Sequence, residues 1–173
     1  MKKYELTEET TNIFGKTLHR IRATRDFSNV HAGDLGGFIE DERNLSHDEN
    51  AWVSGKALVS GEARVGGDAW VDGNARVGGN AWVGGNARVC GNALVKGPRD
   101  IYWISCIGSR DGTTTFFRNA NNGISVSCGC FYGTIDEFAA AVTKTHGDNE
   151  HAQAYRHAIE IAKLRIKLED AES

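Results

Sequence analysis

Several features that define large classes of proteins are missing from this chain of 173 residues. No apolar run approaches the roughly 18 residues that a membrane-spanning helix needs. Lys and Arg total 20 against 23 Asp and Glu, and the net charge of −3 lacks both the basic footprint of a nucleic-acid binder and the acidity of a nucleic-acid mimic. The first ten residues are polar, contain three glutamates and are not typical of a signal peptide. We therefore expect a cytoplasmic protein with no membrane contact.

Proline is also scarce, since Pro98 is the single proline in a chain that contains 21 glycines. Glycine without proline indicates many tight turns inside ordered structure rather than a disordered linker. At this length the chain can bury about two thirds of its unfolded surface, so a core needs neither a metal nor a disulfide.

The few cysteines are expected to be reduced thiols, because nothing in the sequence indicates export to an oxidising compartment. They are Cys90, Cys106, Cys128 and Cys130. Cys128 and Cys130 could chelate a metal together with Cys106 or His146, but the CxC spacing and the lack of a second pair disfavour this. The simpler interpretation is that these cysteines serve as small apolar residues in a sheet. We expect no metal and no cofactor.

A repeat of six residues fills the chain from Ala51 to Gly97. It reads AWVSGK, ALVSGE, ARVGGD, AWVDGN, ARVGGN, AWVGGN, ARVCGN, ALVKG. Ala and Val send their side chains to one side of a short strand and the residue between them to the other, while Gly and Asn suit a tight corner. Three hexads that close one triangular turn stack residues eighteen apart, which predicts interior ladders of valine. The pattern resembles the hexapeptide-repeat left-handed β-helix.

The outward positions of the repeat are the candidate contact residues. With a period of eighteen, one wall carries Trp52, Trp70 and Arg88, a second carries Arg76 between two leucines, and a third carries Arg64 and Trp82. A solvated wall needs no tryptophan, and Trp and Arg are enriched at binding hot spots. We expect these six residues to contact a partner protein, or another copy of this chain in a dimer or trimer, with a nucleic acid or nucleotide as a further alternative. The alternative is that the chain's own terminal segments cover them.

The segments on either side of the repeat complete a mainly β fold. We divide the chain into a lead-in and cap (1–37), the β-helix (38–98) and a C-terminal α+β unit (99–173). Counting back in sixes places Leu45 and Ile39 in alanine positions, and His47 and Asp41 in valine positions, where we interpret the two polar residues as end-cap groups. The lead-in is predicted to hold one short strand followed by irregular strands.

The C-terminal unit is predicted to contain three short strands and two helices. The strands are expected at 101–107, 113–118 and 124–128. A capping box at Thr134–Glu137 begins the first helix, which stops near His146. The second helix starts about residue 148 or 149. Its buried stripe is predicted to comprise Tyr155, Ile159, Ala162 and Ile166, widened by Leu164 and Leu168.

The layout as a whole resembles a largely uncharacterised group of small proteins found in phages and prophages of gut bacteria. The matching segments are GDLGGFI at 33–39, NLS at 44–46, the AxVxGN hexads, and GCFYGTIDEF at 129–138. The resemblance implies an accessory factor in the cytoplasm of a bacterial host. It further implies inhibition of a host defence component, such as a CRISPR nuclease or a nucleotide signal.

An enzyme is the less favoured interpretation. Hexapeptide coils that transfer acetyl groups from acetyl-CoA use a histidine base beside a loop expelled from the coil, yet no histidine lies between Ala51 and Gly97. No P-loop, GxSxG or HExxH motif is present. We expect a non-catalytic binding protein whose partner is a protein. The alternatives are an acyltransferase relative and a nucleotide-signal sponge with pockets at subunit interfaces.

Overall fold

The alanine and valine hexads fold as a β-solenoid of about three turns, in a computed structural model that describes residues 1–170. An antiparallel sheet and two helices follow the solenoid. The solenoid strands are β4 (Trp52–Val53), β5 (Leu58–Val59), β6 (Arg64–Val65), β7 (Trp70–Val71), β8 (Arg76–Val77), β9 (Trp82–Val83), β10 (Arg88–Val89) and β11 (Leu94–Val95). Before them lie β1 (Tyr4–Ile13), β2 (Lys16–Ala23) and β3 (Leu35–Ile39), and after them β12 (Ile101–Ile107), β13 (Gly112–Arg118), β14 (Ile124–Cys128), β15 (Phe131–Thr134), α1 (Ile135–His146) and α2 (Glu150–Arg165). No helix within residues 1–170 is both long enough and apolar enough to cross a membrane.

The predicted valine ladders are confirmed by the strand pairing. Parallel pairs join Val53 to Val71 to Val89, Val59 to Val77 to Val95, and Val65 to Val83. Each of these valines is at most 1% exposed, and so is every alanine of the hexads. Burying one such valine contributes about 1.5–3 kcal/mol, so the interior ladders are the main source of stability of this tract.

The first turn of the solenoid differs from the prediction by two residues. Ile39 pairs with Val59 and Leu45 with Val65, twenty residues apart, whereas Val53 and Val71 are eighteen apart. Two extra residues lie between Leu45 and Val53, so counting back in sixes misplaces everything before them. Ile39 and Leu45 therefore occupy the valine positions, and the larger side chains fill the interior at the end of the coil.

Asp41 and His47 lie at the first turn of the solenoid, and neither occupies an interior position; their role as end-cap groups stays a prediction. Asp41 caps a short 3-10 helix at Glu42–Asn44 by accepting a hydrogen bond from the Arg43 N–H. His47 stacks on the ring of Tyr4 at 4.2 Å between centroids, and its Nδ1 accepts the backbone N–H of Lys3 at 3.2 Å.

The lead-in is more regular than the prediction, which placed irregular strands there. β1 and β2 form a long antiparallel hairpin, and β2 pairs antiparallel with β3, whose other edge joins the solenoid strand β5. The hairpin thereby extends one wall of the solenoid into a six-stranded sheet. This arrangement covers the edge that a parallel coil would otherwise leave open to pairing with another chain.

Two buried polar side chains satisfy the carbonyl groups at this end of the coil. Lys3 is fully buried, and its Nζ donates to the carbonyl oxygen of Ala51 at 2.7 Å. Asn44 is also fully buried, and its amide donates to the carbonyl oxygens of Gly61 and Ala63 at 3.0 and 2.9 Å. Unpaired buried carbonyls are costly, so these side chains replace a missing strand.

The buried lysine gives the stability of the protein a dependence on pH. Burial, and secondarily the charge of Arg25, lower the pKa of Lys3 to about 8, whereas an unfolded lysine has a pKa near 10.4. Between these values the unfolded chain binds more protons, so the free energy of unfolding rises with pH. Relative to Lys3→Met, the wild type is expected to gain up to about 3 kcal/mol between pH 7.5 and 10.5. Urea denaturation followed by tryptophan fluorescence measures this difference.

Lys2→Met is the matched control for this titration. Lys2 lies next to Lys3 in sequence but its side chain is 65% exposed, in an ion pair with Glu42. We expect the unfolding free energies of Lys2→Met and wild type to run parallel over the same pH range. A difference between wild type and Lys3→Met that does not change with pH would contradict the assignment of a depressed pKa to Lys3.

The C-terminal sheet has four antiparallel strands in the order β12-β13-β14-β15, one more than predicted. The added strand, β15, begins directly after the Gly129 turn and pairs with β14 from Cys128 to Ser125. One face of the sheet covers the last solenoid turn, where the side-chain oxygen of Thr115 accepts the backbone N–H of Arg88 at 2.9 Å. The other face packs against both helices. The proposed boundaries near residues 38 and 99 stay predictions.

Thr134 and Asn149 are the N-caps of the two helices, so α1 begins at Ile135 and α2 at Glu150, close to the predicted positions, and α1 ends at His146 as expected. The predicted buried stripe of α2 is confirmed, because Tyr155, Ile159, Ala162 and Ile166 are all buried. The widening of that stripe is wrong: Leu164 is 69% and Leu168 42% exposed. Helix α2 ends at Arg165, and Leu164 lies on the side of the helix that faces away from the sheet.

Candidate functional site

The six predicted contact residues lie on three different faces of the solenoid. Pairing places Trp52, Trp70 and Arg88 in one column, Arg64 and Trp82 in a second, and Arg76 in a third between Leu58 and Leu94. A single flat partner cannot touch all three faces at once. The candidate residues therefore have to be considered face by face.

Trp52 is removed from the set of contact residues by the structure. It is 2% exposed, since Tyr4 and Phe27 of the lead-in pack against its indole edge-on at 6.4 and 5.3 Å between ring centroids. Trp70, one turn along, is half-buried and packs against the same core. The predicted contact role is wrong for Trp52, because the chain's own N-terminal segment covers that end of the face.

Trp82 keeps the exposure that a contact residue needs. Its side chain is 58% exposed, and its indole lies over Gly84, where an added β-carbon would be 2.7 Å from the ring. Trp103 of β12 meets the indole edge-on at 5.9 Å between centroids. Because Gly84 and Trp103 support the ring from two sides, Trp82 presents a preformed apolar surface to solvent.

Arg64 lies beside Trp82 on the same face, as its direct partner in the parallel β6–β9 pair. The Arg64 side chain is exposed, and within the described part of the chain no carboxylate lies within 4.0 Å of it. We call Arg64, Trp82 and Trp103 the Trp82 face. It combines an exposed aromatic ring with an uncompensated positive charge.

A groove of about 440 Å³ runs along the edge of the Trp82 face toward the start of the solenoid. Its walls include Arg64, Trp82, Ser46, His47 and Glu42. Glu42 is held by Lys2 at 2.8 Å, and this hydrogen bond lowers the pKa of the Glu42 carboxyl. The groove therefore offers polar positions next to the exposed indole.

A larger cleft lies where the last solenoid turns meet the C-terminal unit. It encloses about 700 Å³, and we call it the junction cleft. Arg88 enters from the solenoid, Arg110 from the turn between β12 and β13, Phe131 from β15, and Tyr155 from α2. Segments more than sixty residues apart in sequence thus meet at one site.

Tyr155 is held firmly in the wall of the junction cleft. Its ring packs edge-on against Phe138 at 5.4 Å, and its hydroxyl lies so close to Gly108 that a β-carbon there would overlap it. Burial and the neighbouring Cys128 thiol raise the pKa of Tyr155 to about 12. The phenol therefore stays protonated at neutral pH and can donate a hydrogen bond into the cleft.

The cysteines do not form a metal centre in the described residues. No group of three or more His, Cys, Asp or Glu side chains is close enough together there to hold an ion. Cys106 and Cys130 are exposed, whereas Cys128 is half-buried and accepts a hydrogen bond from the Thr114 hydroxyl at 3.2 Å. Burial raises the pKa of the Cys90 thiol.

The histidines that could act as a general base are dispersed. His47 packs on Tyr4 at the first turn, and the carbonyl oxygen of Thr7 lies 3.3 Å from the Nδ1 of His19. His146 lies beside His151 and Tyr155 at 5.6 and 5.8 Å between centroids, at the end of α1. Of these, His146 lines the junction cleft.

Most residues of the junction cleft are not recognisable as site residues from the sequence. Arg110 lies between two predicted strands, Phe131 lies between the third predicted strand and the first helix, and Tyr155 is predicted as a buried residue of the second helix. None of these positions carries a repeat or motif that marks it. The cleft forms because the sheet folds back over the solenoid end, and this packing brings distant segments together.

No protein-family model matches the chain, and no curated protein matches it. The Trp82 face and the junction cleft are the two surfaces whose geometry bears on function.

Proposed function

We propose that this chain is a non-catalytic binding protein that holds a partner protein on the Trp82 face. The observation that carries the proposal is the exposure of Trp82, which stays 58% exposed although Trp103 of β12 packs against one edge of its ring. Leaving a large indole in water is unfavourable, and binding that buries it recovers this energy.

The chemistry of the face indicates the kind of protein that fits it. Trp and Arg are the residues most enriched at binding hot spots, and a rigid ring loses little conformational entropy on binding. Arg64 has no carboxylate partner within 4.0 Å among the described residues, so an acidic side chain of the partner can pair with it. We propose a partner surface with an apolar pocket for the indole next to an Asp or Glu for the guanidinium.

The partner can be sought by affinity capture from a bacterial extract and then tested as a purified protein. For that purified partner, Trp82→Ala is expected to weaken binding about 30-fold, the effect of a hot spot worth about 2 kcal/mol. Arg64→Ala is expected to weaken it about tenfold. Isothermal titration calorimetry measures both dissociation constants.

Arg76→Ala provides the control for this measurement. Arg76 occupies the equivalent outward position of another hexad and is equally exposed, but lies on a different face. Its substitution should leave the dissociation constant unchanged. The proposal fails if no protein binds, or if Trp82→Ala and Arg76→Ala weaken binding by the same factor.

Self-association through the solenoid stays a prediction. A dimer or trimer built on the Trp82 face would bury the indole without a foreign partner, and Trp82→Ala would then convert the oligomer to a monomer. Size-exclusion chromatography with light scattering distinguishes this outcome from binding of a foreign protein.

The finer features of the proposal rest on the sequence pattern. The hexads favour a left-handed coil, and the resemblance to phage and prophage proteins favours an accessory factor that inhibits a host defence component such as a CRISPR nuclease. The acyltransferase alternative predicts that millimolar acetyl-CoA raises the melting temperature. We expect no such shift, because the eight hexads run from β4 to β11 without an expelled loop and carry no histidine.

A further inference from the structure

The junction cleft is separate from the Trp82 face and has a different chemistry. The cleft and the groove beside Trp82 share no lining residue. At about 700 Å³ the cleft lies within the range of about 300–1,000 Å³ found for small-molecule sites. A flat protein surface does not fill a concavity of this size, so the cleft suits a small ligand.

Two arginines supply the cleft with positive charge. Arg88 projects from β10 and Arg110 from the β12–β13 turn, and within the described residues neither has a carboxylate within 4.0 Å. Among the described residues that line the cleft, Asp111 is the only carboxylate. Both arginines line the same cleft from separate elements, and guanidinium groups bind phosphate or carboxylate through paired hydrogen bonds.

Aromatic side chains supply the other half of the site. Phe131 and Phe138 pack against each other at 5.3 Å between centroids, and Tyr155 and His146 continue this aromatic wall. The Tyr155 hydroxyl has only a weak contact, 3.7 Å from the Cys128 sulfur, among the described residues. Aromatic walls hold planar rings by stacking, and a protonated phenol can donate to a ring nitrogen or carbonyl.

We propose that the junction cleft binds a small organic phosphate that carries a planar ring, with the phosphate on Arg88 and Arg110 and the ring against the aromatic wall. Neither half of the site suffices alone, because the arginines are solvated and, in the aromatic wall, only Phe131 and His146 are more than marginally exposed. A site within one chain also differs from the pocket between subunits that the sequence analysis offered as an alternative.

Nucleotides are the probes for this site, since they join a phosphate to a planar base. Calorimetric titration of the wild-type protein with ribonucleoside mono- and diphosphates is expected to give a dissociation constant below 1 mM for at least one of them, a threshold of roughly 4 kcal/mol of binding free energy. Inorganic phosphate and the matching free nucleoside should each bind at least about tenfold more weakly, because each supplies half of the contacts.

Variants distinguish nucleotide binding in the junction cleft from adventitious binding elsewhere on the protein. Arg88→Ala and Arg110→Ala should each weaken nucleotide binding at least about tenfold, because each variant loses one charge-assisted contact. Arg76→Ala removes a solenoid arginine outside the cleft and should leave the affinity unchanged. Circular dichroism checks that each variant is folded. Both cleft arginines are exposed, so we expect their substitution to leave the fold intact.

Three results would overturn the proposal. The first is that no nucleotide binds below 1 mM. The second is equal affinity for inorganic phosphate and for nucleotide, which would show that the aromatic wall contributes nothing to binding. The third is equal weakening by Arg88→Ala and Arg76→Ala. None of these outcomes depends on Trp82, so the proposed protein-binding face can fail or succeed independently.

Discussion

Val77→Asp is expected to unfold the solenoid. Val77 is 1% exposed and lies between Val59 and Val95 in an interior ladder of valines. A carboxylate in this position is surrounded by methyl groups and has no cation to pair with, so it either pays for desolvation or takes up a proton. The loss exceeds about 5 kcal/mol, which is comparable to the total stability of many small proteins.

Arg76→Asp is the matched control for this substitution. Arg76 precedes Val77 in the same strand, but its side chain points outward and is exposed. The same aspartate there should change the free energy of unfolding by no more than about 0.5 kcal/mol, as for ordinary surface substitutions. Thermal unfolding followed by circular dichroism compares the two variants. A Val77→Asp protein with the wild-type melting temperature would show that the valines do not face a shared interior.

Gly79→Ala is expected to be the second most damaging change, through the backbone rather than the interior. Gly79 turns a solenoid corner with a φ of 59°, in the left-handed region that favours glycine. An added β-carbon would overlap the backbone carbonyl oxygen of Lys96 in the next turn. The backbone around Lys96 cannot move away freely, because the preceding residue, Val95, is held by its carbonyl oxygen, which accepts the Gly78 N–H at 2.8 Å. We expect a loss of roughly 4 kcal/mol.

Gly129→Ala distinguishes the strain of a positive φ from the overlap with the next turn as causes of this loss. Gly129 has nearly the same φ, 57°, but no atom lies within 4 Å of the position that its β-carbon would take. Its substitution should cost only the conformational strain of about 1–2 kcal/mol. Chemical denaturation gives both values. Equal losses in the two variants would show that the close stacking of solenoid turns contributes nothing at Gly79.

The interior of the solenoid could be predicted in detail because its signal is local and repeated. Eight hexads place Ala and Val at constant positions, and a strand of two residues followed by a glycine corner permits few arrangements. The prediction was wrong where the repeat breaks. The two residues added before Val53 shift Ile39 and Leu45 into valine positions. The sequence between Leu45 and Val53 contains no pattern that marks where these two residues are inserted.

The exposure of outward residues could not be predicted in the same way. Trp52, Trp70 and Trp82 occupy the same position of the hexad, yet they range from 2% to 58% exposed. What differs is which distant segment packs on them: Tyr4 and Phe27 bury Trp52, while Trp103 only supports one side of Trp82. Leu164 shows the opposite error, since its helical spacing suggested burial and the sheet covers the other side of α2. Leu168 is exposed because it lies beyond the end of α2 at Arg165.

The sequence by itself determined the coil, its period of eighteen residues, the caps of both helices and most of the C-terminal strands, since each depends on neighbours a few residues away. Only the tertiary structure decided which outward side chains reach solvent and which segments meet in the junction cleft. Those outcomes depend on how the lead-in hairpin and the C-terminal sheet pack against the two ends of the coil. Such packing is set by contacts between residues far apart in sequence, and no local spacing encodes them.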